Sequence, residues 1–120
     1  MQVGDKRSIT RSFSATDLAA FHKQAGLQES TTGSVPEPLI GALFSYLLGV
    51  ELPGFGTNYL KQEMQFLRPA PAGQPLSASV EITRLRPDKH LVDLRTACTG
   101  PDGTLYCEGR ALVLAKDVGK

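Results

Sequence analysis

The chain has 120 residues, and its 13 Lys and Arg against 12 Asp and Glu give a formal net charge of +1. This length predicts a single domain, residues 1–120, built on one core. The balanced charge excludes a strongly basic nucleic-acid-binding surface. Two cysteines are too few for a disulfide scaffold or a four-thiolate metal site, so we expect neither metal nor cofactor.

No targeting or membrane segment is predicted. The first residues are polar and no apolar stretch follows them, which argues against a signal peptide and favours a cytoplasmic location. The most apolar stretch, residues 38–52, is shorter than the roughly 20 residues that a membrane span needs. We therefore expect this stretch to be buried in protein.

The first third of the chain predicts a strand, a helix and a loop. Residues 3–13 have an extended pattern, and Ser14 then suits a helix N-cap, with Asp17 three residues later. Gly26 ends this short amphipathic helix. Residues 27–35 are small, polar and unpatterned, as in a surface loop.

A second helix is predicted to be the most buried element. Pro38 suits the first helical turn, and residues 39–49 are apolar nearly all the way round. Gly41, Ser45 and Gly49 are spaced four apart, so one stripe of this helix carries almost no side chain. Such a stripe allows another backbone or a ligand to approach closely.

The rest of the chain predicts β-structure. Alternating apolar and polar residues indicate an antiparallel sheet with one wet face, and its strands cover residues 60–66, 76–83, 92–99 and 105–114. With the first strand, this gives an α+β fold in which about five strands wrap around the apolar helix. The edge of such a sheet favours pairing with a second copy of the chain.

The two cysteines flank the last predicted hairpin. Pro101 favours a bulged turn there, which predicts that Cys98 and Cys107 are free thiols on opposite faces of the sheet.

Several segments carry a family resemblance, among them LLG, LPG, YL.Q and F..P followed by a glycine, between Leu43 and Gln74. With these segments the chain resembles the MaoC-like, (R)-specific enoyl-CoA hydratase group of hotdog-fold proteins over nearly its whole length. The resemblance implies a hotdog fold, a homodimer, and a tunnel for an acyl chain that is joined by a thioester to coenzyme A or acyl carrier protein.

The family's catalytic motifs are missing. Family hydratases carry D-x-N-P-x-H after the first helix, where the Asp and His activate water. The corresponding stretch here reads AGLQESTTGS and contains no histidine. The family's H-G pair at the start of the central helix is replaced by Pro36-Glu37. Neither motif can be carried over to residues of this chain.

Glu37 is the candidate catalytic residue, because other hotdog enzymes, the acyl-CoA thioesterases, activate water with a carboxylate near the central helix. The alternative is a solvated acid in a first helical turn. His22 and His90 are expected at the surface. The candidate substrate-binding residues are Ser34, Gly41, Ser45, Asn58, Tyr59 and Gln62.

Three functions stay open on sequence grounds. The first is a hydratase or dehydratase of acyl thioesters that lacks the usual dyad. The second is a thioesterase that uses Glu37 and water. The third is a non-catalytic subunit that binds acyl-CoA or an acyl carrier protein.

Overall fold

A computed structural model describes residues 2–14, 35–54 and 58–115, except for the side chain of Tyr59. The predicted helix that follows Ser14 and nearly all of the predicted polar loop lie outside these residues.

The described strands form one antiparallel sheet of five, as predicted. The order of the strands across the sheet is β1-β3-β4-β5-β2, so β1 and β2 are its edges. Their bounds are β1 Lys6–Ser12, β2 Asn58–Phe66, β3 Pro75–Arg86, β4 Leu91–Thr99 and β5 Leu105–Leu114.

The central helix, α1 (Glu37–Tyr46), runs directly into a π-helical turn, Leu47–Glu51. Pro38 lies in the first turn, as predicted. The side chains that pack on the sheet are buried, namely Ile40, Leu43, Phe44, Leu47 and Leu48. The opposite side is open in a single copy, since Tyr46 and Val50 are 46% and 45% exposed. Within the described ranges, no helix combines the length and apolar character needed to cross a membrane.

The two faces of the sheet differ in chemistry. The inner face contacts α1, and its alternating residues on β3 and β4 are completely buried, namely Leu76, Ala78, Val80, Ile82, Val92, Leu94, Thr96 and Cys98. The outer face carries the ion pairs, for example Arg95–Glu108 at 3.4 Å and Lys61–Glu63 at 3.0 Å. This is the alternation expected of a sheet that is covered on one side.

The predicted separation of the two cysteines is wrong. Cys98 and Cys107 are direct cross-strand partners on the inner face, and both thiols are free and buried. The register shifts once, because Thr99 pairs with Leu105 and Tyr106 is the extra residue. A bulge is therefore present, but it lies between the turn and the cysteines. It adds one residue to β5 and thereby moves Cys107 opposite Cys98.

Candidate active site

A cavity of about 440 Å³ lies at the N-terminus of α1. One wall is formed by residues 35–37 and Ile40, and the other by residues 66–70. A backbone hydrogen bond joins the two walls, in which Val35 N donates to Ala70 O at 2.7 Å. The cavity is therefore built where the start of the helix meets the end of β2.

Two charged residues of opposite sign line this cavity. Glu37 is exposed in the first turn of α1, where the helix dipole favours a carboxylate. Arg68 lies on the facing wall and has no ion pair with any residue in the described part of the chain. The pKa of Asp102 is lowered mainly by hydrogen bonding with Thr104 and slightly by the Arg68 charge.

Cys107 pairs with Phe66 of the cavity wall and Cys98 pairs with Cys107, but neither thiol is suited to attack a substrate. Burial raises the pKa of both thiols to about 11, and for Cys107 the negative charge of Glu37 contributes as well. A thiol with this pKa is protonated at neutral pH, and the thiolate is the nucleophilic form. Glu37 is accordingly the better candidate for handling a proton at this site.

His90 is too far away to assist Glu37. It lies in the turn before β4, with a left-handed backbone (φ 56°), and its side chain is exposed, as predicted. Cys98 lies in the same row of the sheet as Phe66, which lines the cavity. It is eight residues further along the extended strand than His90, which corresponds to about 26 Å. His22 lies outside the described residues. Nor does the described part of the chain bring together three metal-ligating side chains.

The stripe of small residues, Gly41, Ser45 and Gly49, is partly filled by a side chain of β2. A Cβ atom at Gly41 would lie 3.6 Å from Met64 Cε, whereas one at Gly49 would meet nothing within 4 Å. Glu37, Gly41 and Ser45 are spaced one turn apart, so the stripe leads away from the cavity. Ser45 is exposed.

The remaining candidate binding residues are spread along β2. Asn58 is exposed at the end of β2 far from Glu37, so the structure does not bring these two together. Gln62 lies in the middle of the strand, and its buried Nε2 has no hydrogen-bond partner among the described residues. Ser34 and the side chain of Tyr59 lie outside the part of the chain that the structure describes.

Sequence reasoning missed Met64. The approximate alternation in β2 could have placed it on the inner face, but not against one particular glycine of the helix. That contact depends on how α1 crosses the sheet, which no local pattern encodes.

Two other concave surfaces lack a comparable reactive group. A depression of about 570 Å³ on the outer face is lined by Arg95, Arg110, Glu63 and Glu108, whose charges already pair with one another. A groove of about 420 Å³ between β1 and α1 is largely apolar, and its one charged side chain, Arg11, lies over the Phe13 ring. Neither surface contains a carboxylate without a partner.

The chain is similar to known proteins along nearly its whole length. No protein-family model matches it. The (R)-specific enoyl-CoA hydratase of Aeromonas caviae is 35% identical in an alignment of 129 positions, gaps included, that covers 94% of each chain. This chain belongs to the (R)-specific enoyl-CoA hydratase family. The hydratase of the same name from Rhodospirillum rubrum is 31% identical, over 92% of this chain and 85% of that protein.

Solved structures agree with this assignment. The (R)-hydratase from A. caviae involved in PHA biosynthesis superposes with a TM-score of 0.86 at 34% identity, over 96% of this chain and 97% of that one. The fold is therefore the MaoC-like hotdog that the sequence resemblance implied, with α1 as its central helix.

Proposed function

We propose that this family member binds acyl thioesters of coenzyme A or acyl carrier protein and acts on them as a hydratase or dehydratase. The observation that carries the proposal is the end-to-end similarity to a protein named (R)-specific enoyl-CoA hydratase, at 35% identity. The cavity at the start of α1 supports it, because it offers an exposed carboxylate beside apolar walls. We further propose that the protein consists of a single domain and is located in the cytoplasm.

Glu37 takes the part of the missing dyad in this proposal. During hydration its carboxylate accepts a proton from water while the water oxygen bonds to the β-carbon of the enoyl thioester. The α-carbon then receives this proton from the Glu37 carboxyl group, so the double bond becomes a single bond and the carboxylate is regenerated. Dehydration is the reverse. General acid–base catalysis by a positioned carboxylate contributes typically 10²–10⁴-fold to such a step.

A thioesterase is the second candidate, and one observation favours it. The described site contains a carboxylate but no histidine, and a carboxylate with water is sufficient to attack a thioester carbonyl. In that reaction the C–S bond breaks, and the free acid and the thiol leave. If neither reaction occurs, the third function, binding without turnover, is the one that fits.

We also propose that the protein is a homodimer joined along β2. This edge strand has no partner on its outer side among the described residues, and it carries exposed Leu60 and Met64. If two copies pair antiparallel about Gln62, Lys61 of each copy lies opposite Glu63 of the other. In the same register Leu60 lies opposite Met64, and the two Gln62 amides face each other. The strand is thus complementary to itself in both charge and apolar surface.

Two assays with one variant test the proposed reaction. Crotonyl-CoA is incubated with the protein, and the loss of enoyl absorbance and the release of free thiol are followed in parallel. We expect absorbance loss without thiol release, and a decrease of about 10²-fold or more in Glu37→Gln. Glu51→Gln, an exposed carboxylate at the other end of the helical segment, is the matched control and should keep full activity.

The outcomes separate the candidates. Thiol release that Glu37→Gln abolishes would replace the hydratase with the thioesterase. Thermal stabilisation by crotonyl-CoA without turnover would indicate the binding subunit. Hydration that is unchanged in Glu37→Gln would contradict the role given to Glu37.

A further inference from the structure

Met64 fills the space between α1 and the sheet. Its Cε and Sδ atoms lie 3.6 and 4.0 Å from the position of a Cβ at Gly41. In the sheet Met64 pairs with Gly109 of β5. A Cβ at Gly109 would overlap the carbonyl oxygen of Glu63, so no side chain fits there. We call the space bounded by Gly41, Met64 and Gly109 the Gly41 slot.

Met64, Gly109 and Thr96 are successive cross-strand partners on β2, β5 and β4. Thr96 of β4 pairs with Gly109, and it is completely buried. Its Oγ1 has no hydrogen-bond partner among the described residues. The Glu63 carbonyl oxygen occupies the place that a Gly109 side chain would take. The backbone of β2 therefore closes the Gly41 slot on this side, and the slot does not reach Thr96.

The Gly41 slot starts close to the candidate catalytic residue. Glu37 and Gly41 are one helical turn apart, about 6 Å along the axis. An acyl chain whose thioester carbonyl is placed at Glu37 and whose tail follows the stripe meets Met64 within this turn. The tail can extend further only if the Met64 side chain moves or is shortened.

We propose that Met64 sets the acyl-chain length that this protein accepts, by closing the Gly41 slot to all but short chains. A methionine suits this task, because its unbranched thioether adapts its shape to what packs against it. The inference rests on the proposed binding of acyl thioesters and adds the feature that selects among them.

The test compares the thermal stabilisation produced by butyryl-CoA and octanoyl-CoA, two saturated thioesters that cannot be hydrated. A ligand that binds only the folded state raises the melting temperature according to its affinity. We expect the wild-type protein to prefer butyryl-CoA. In Met64→Ala the ratio of affinities should shift toward octanoyl-CoA by about tenfold, because extra methylenes become buried.

Two controls protect the result from a general loss of structure. Met64→Leu keeps most of the volume and should retain the wild-type preference. Val50→Ala removes another partly exposed apolar side chain, at the end of the helical segment, and should leave the preference unchanged.

Each outcome bears on one of the two proposals. If wild type and Met64→Ala bind both thioesters in the same ratio, the role of Met64 is wrong while acyl-thioester binding stands. If no acyl-CoA stabilises the wild-type protein beyond coenzyme A alone, the proposed function fails and this inference fails with it.

Discussion

The outer and inner faces of the sheet differ in how their polar side chains are partnered. On the outer face, Arg95 pairs with Glu108, and Thr83 Oγ1 donates to the Asp93 carbonyl oxygen at 3.2 Å. On the inner face, Gln62 Nε2 and Thr96 Oγ1 are buried without partners among the described residues. The outer face pairs several of its charges within a single chain, although the buried Arg86 Nε also has no partner among the described residues. The inner face leaves an amide and a hydroxyl buried without partners.

The strongest prediction concerns Gly109, where the inner face has no room for a side chain. Gly109→Ala should lower the free energy of unfolding by about 3 kcal/mol or more, because β2 must shift to accept the methyl group. Chemical denaturation measures this change. Gly49→Ala is the control and should be neutral or slightly stabilising, since its Cβ would meet open space in a helical turn. Equal stability of both variants would contradict the close approach of β2 and β5.

The second prediction concerns the unpaired edge of β2, where the proposed dimer would continue both faces of the sheet into the second copy. Glu63→Lys places lysines opposite each other in the proposed register, so the dimer dissociation constant should rise at least about tenfold. Sedimentation velocity measures it. The double variant Lys61→Glu with Glu63→Lys restores the opposite charges and should restore the dimer. If the dimer dissociation constant is the same in wild type and both variants, the chains pair through a different surface.

The smallest predicted effect compares one threonine on each face. Thr96→Val should stabilise the protein by about 1 kcal/mol, because it removes a buried hydroxyl without a partner and preserves the shape. Thr83→Val, on the exposed outer face, should change stability by less than about 0.5 kcal/mol. Thermal unfolding of the two variants side by side decides this. Destabilisation by Thr96→Val would mean that the hydroxyl is satisfied in the folded protein.

Local sequence patterns predicted more of the fold than of the candidate site. Alternation located β3, β4 and β5 closely, and Pro38 marked the first turn of α1, because these signals depend only on neighbouring residues. The pairing of Cys98 with Cys107 was predicted wrongly, because a single extra residue, Tyr106, reverses which side chains face each other. A bulged turn was foreseeable from Pro101, but its position relative to the cysteines was not.

The site shows the same limit. Glu37 was selected because hotdog thioesterases, which the fold resemblance brings into the comparison, use a carboxylate near the central helix, and the structure places Glu37 in a cavity wall. Met64 could not be selected, because its importance comes from Gly41 and Gly109, which belong to two other elements. Contacts among three elements are decided by packing, and the sequence of any one element does not reveal them.

The most direct test of the account is a crystal structure with butyryl-CoA bound. We predict that the acyl carbons lie between Glu37 and Met64 along the glycine stripe of α1, with the thioester carbonyl at the cavity mouth. Electron density for the ligand only on the outer face of the sheet, or in the groove between β1 and α1, would contradict the account.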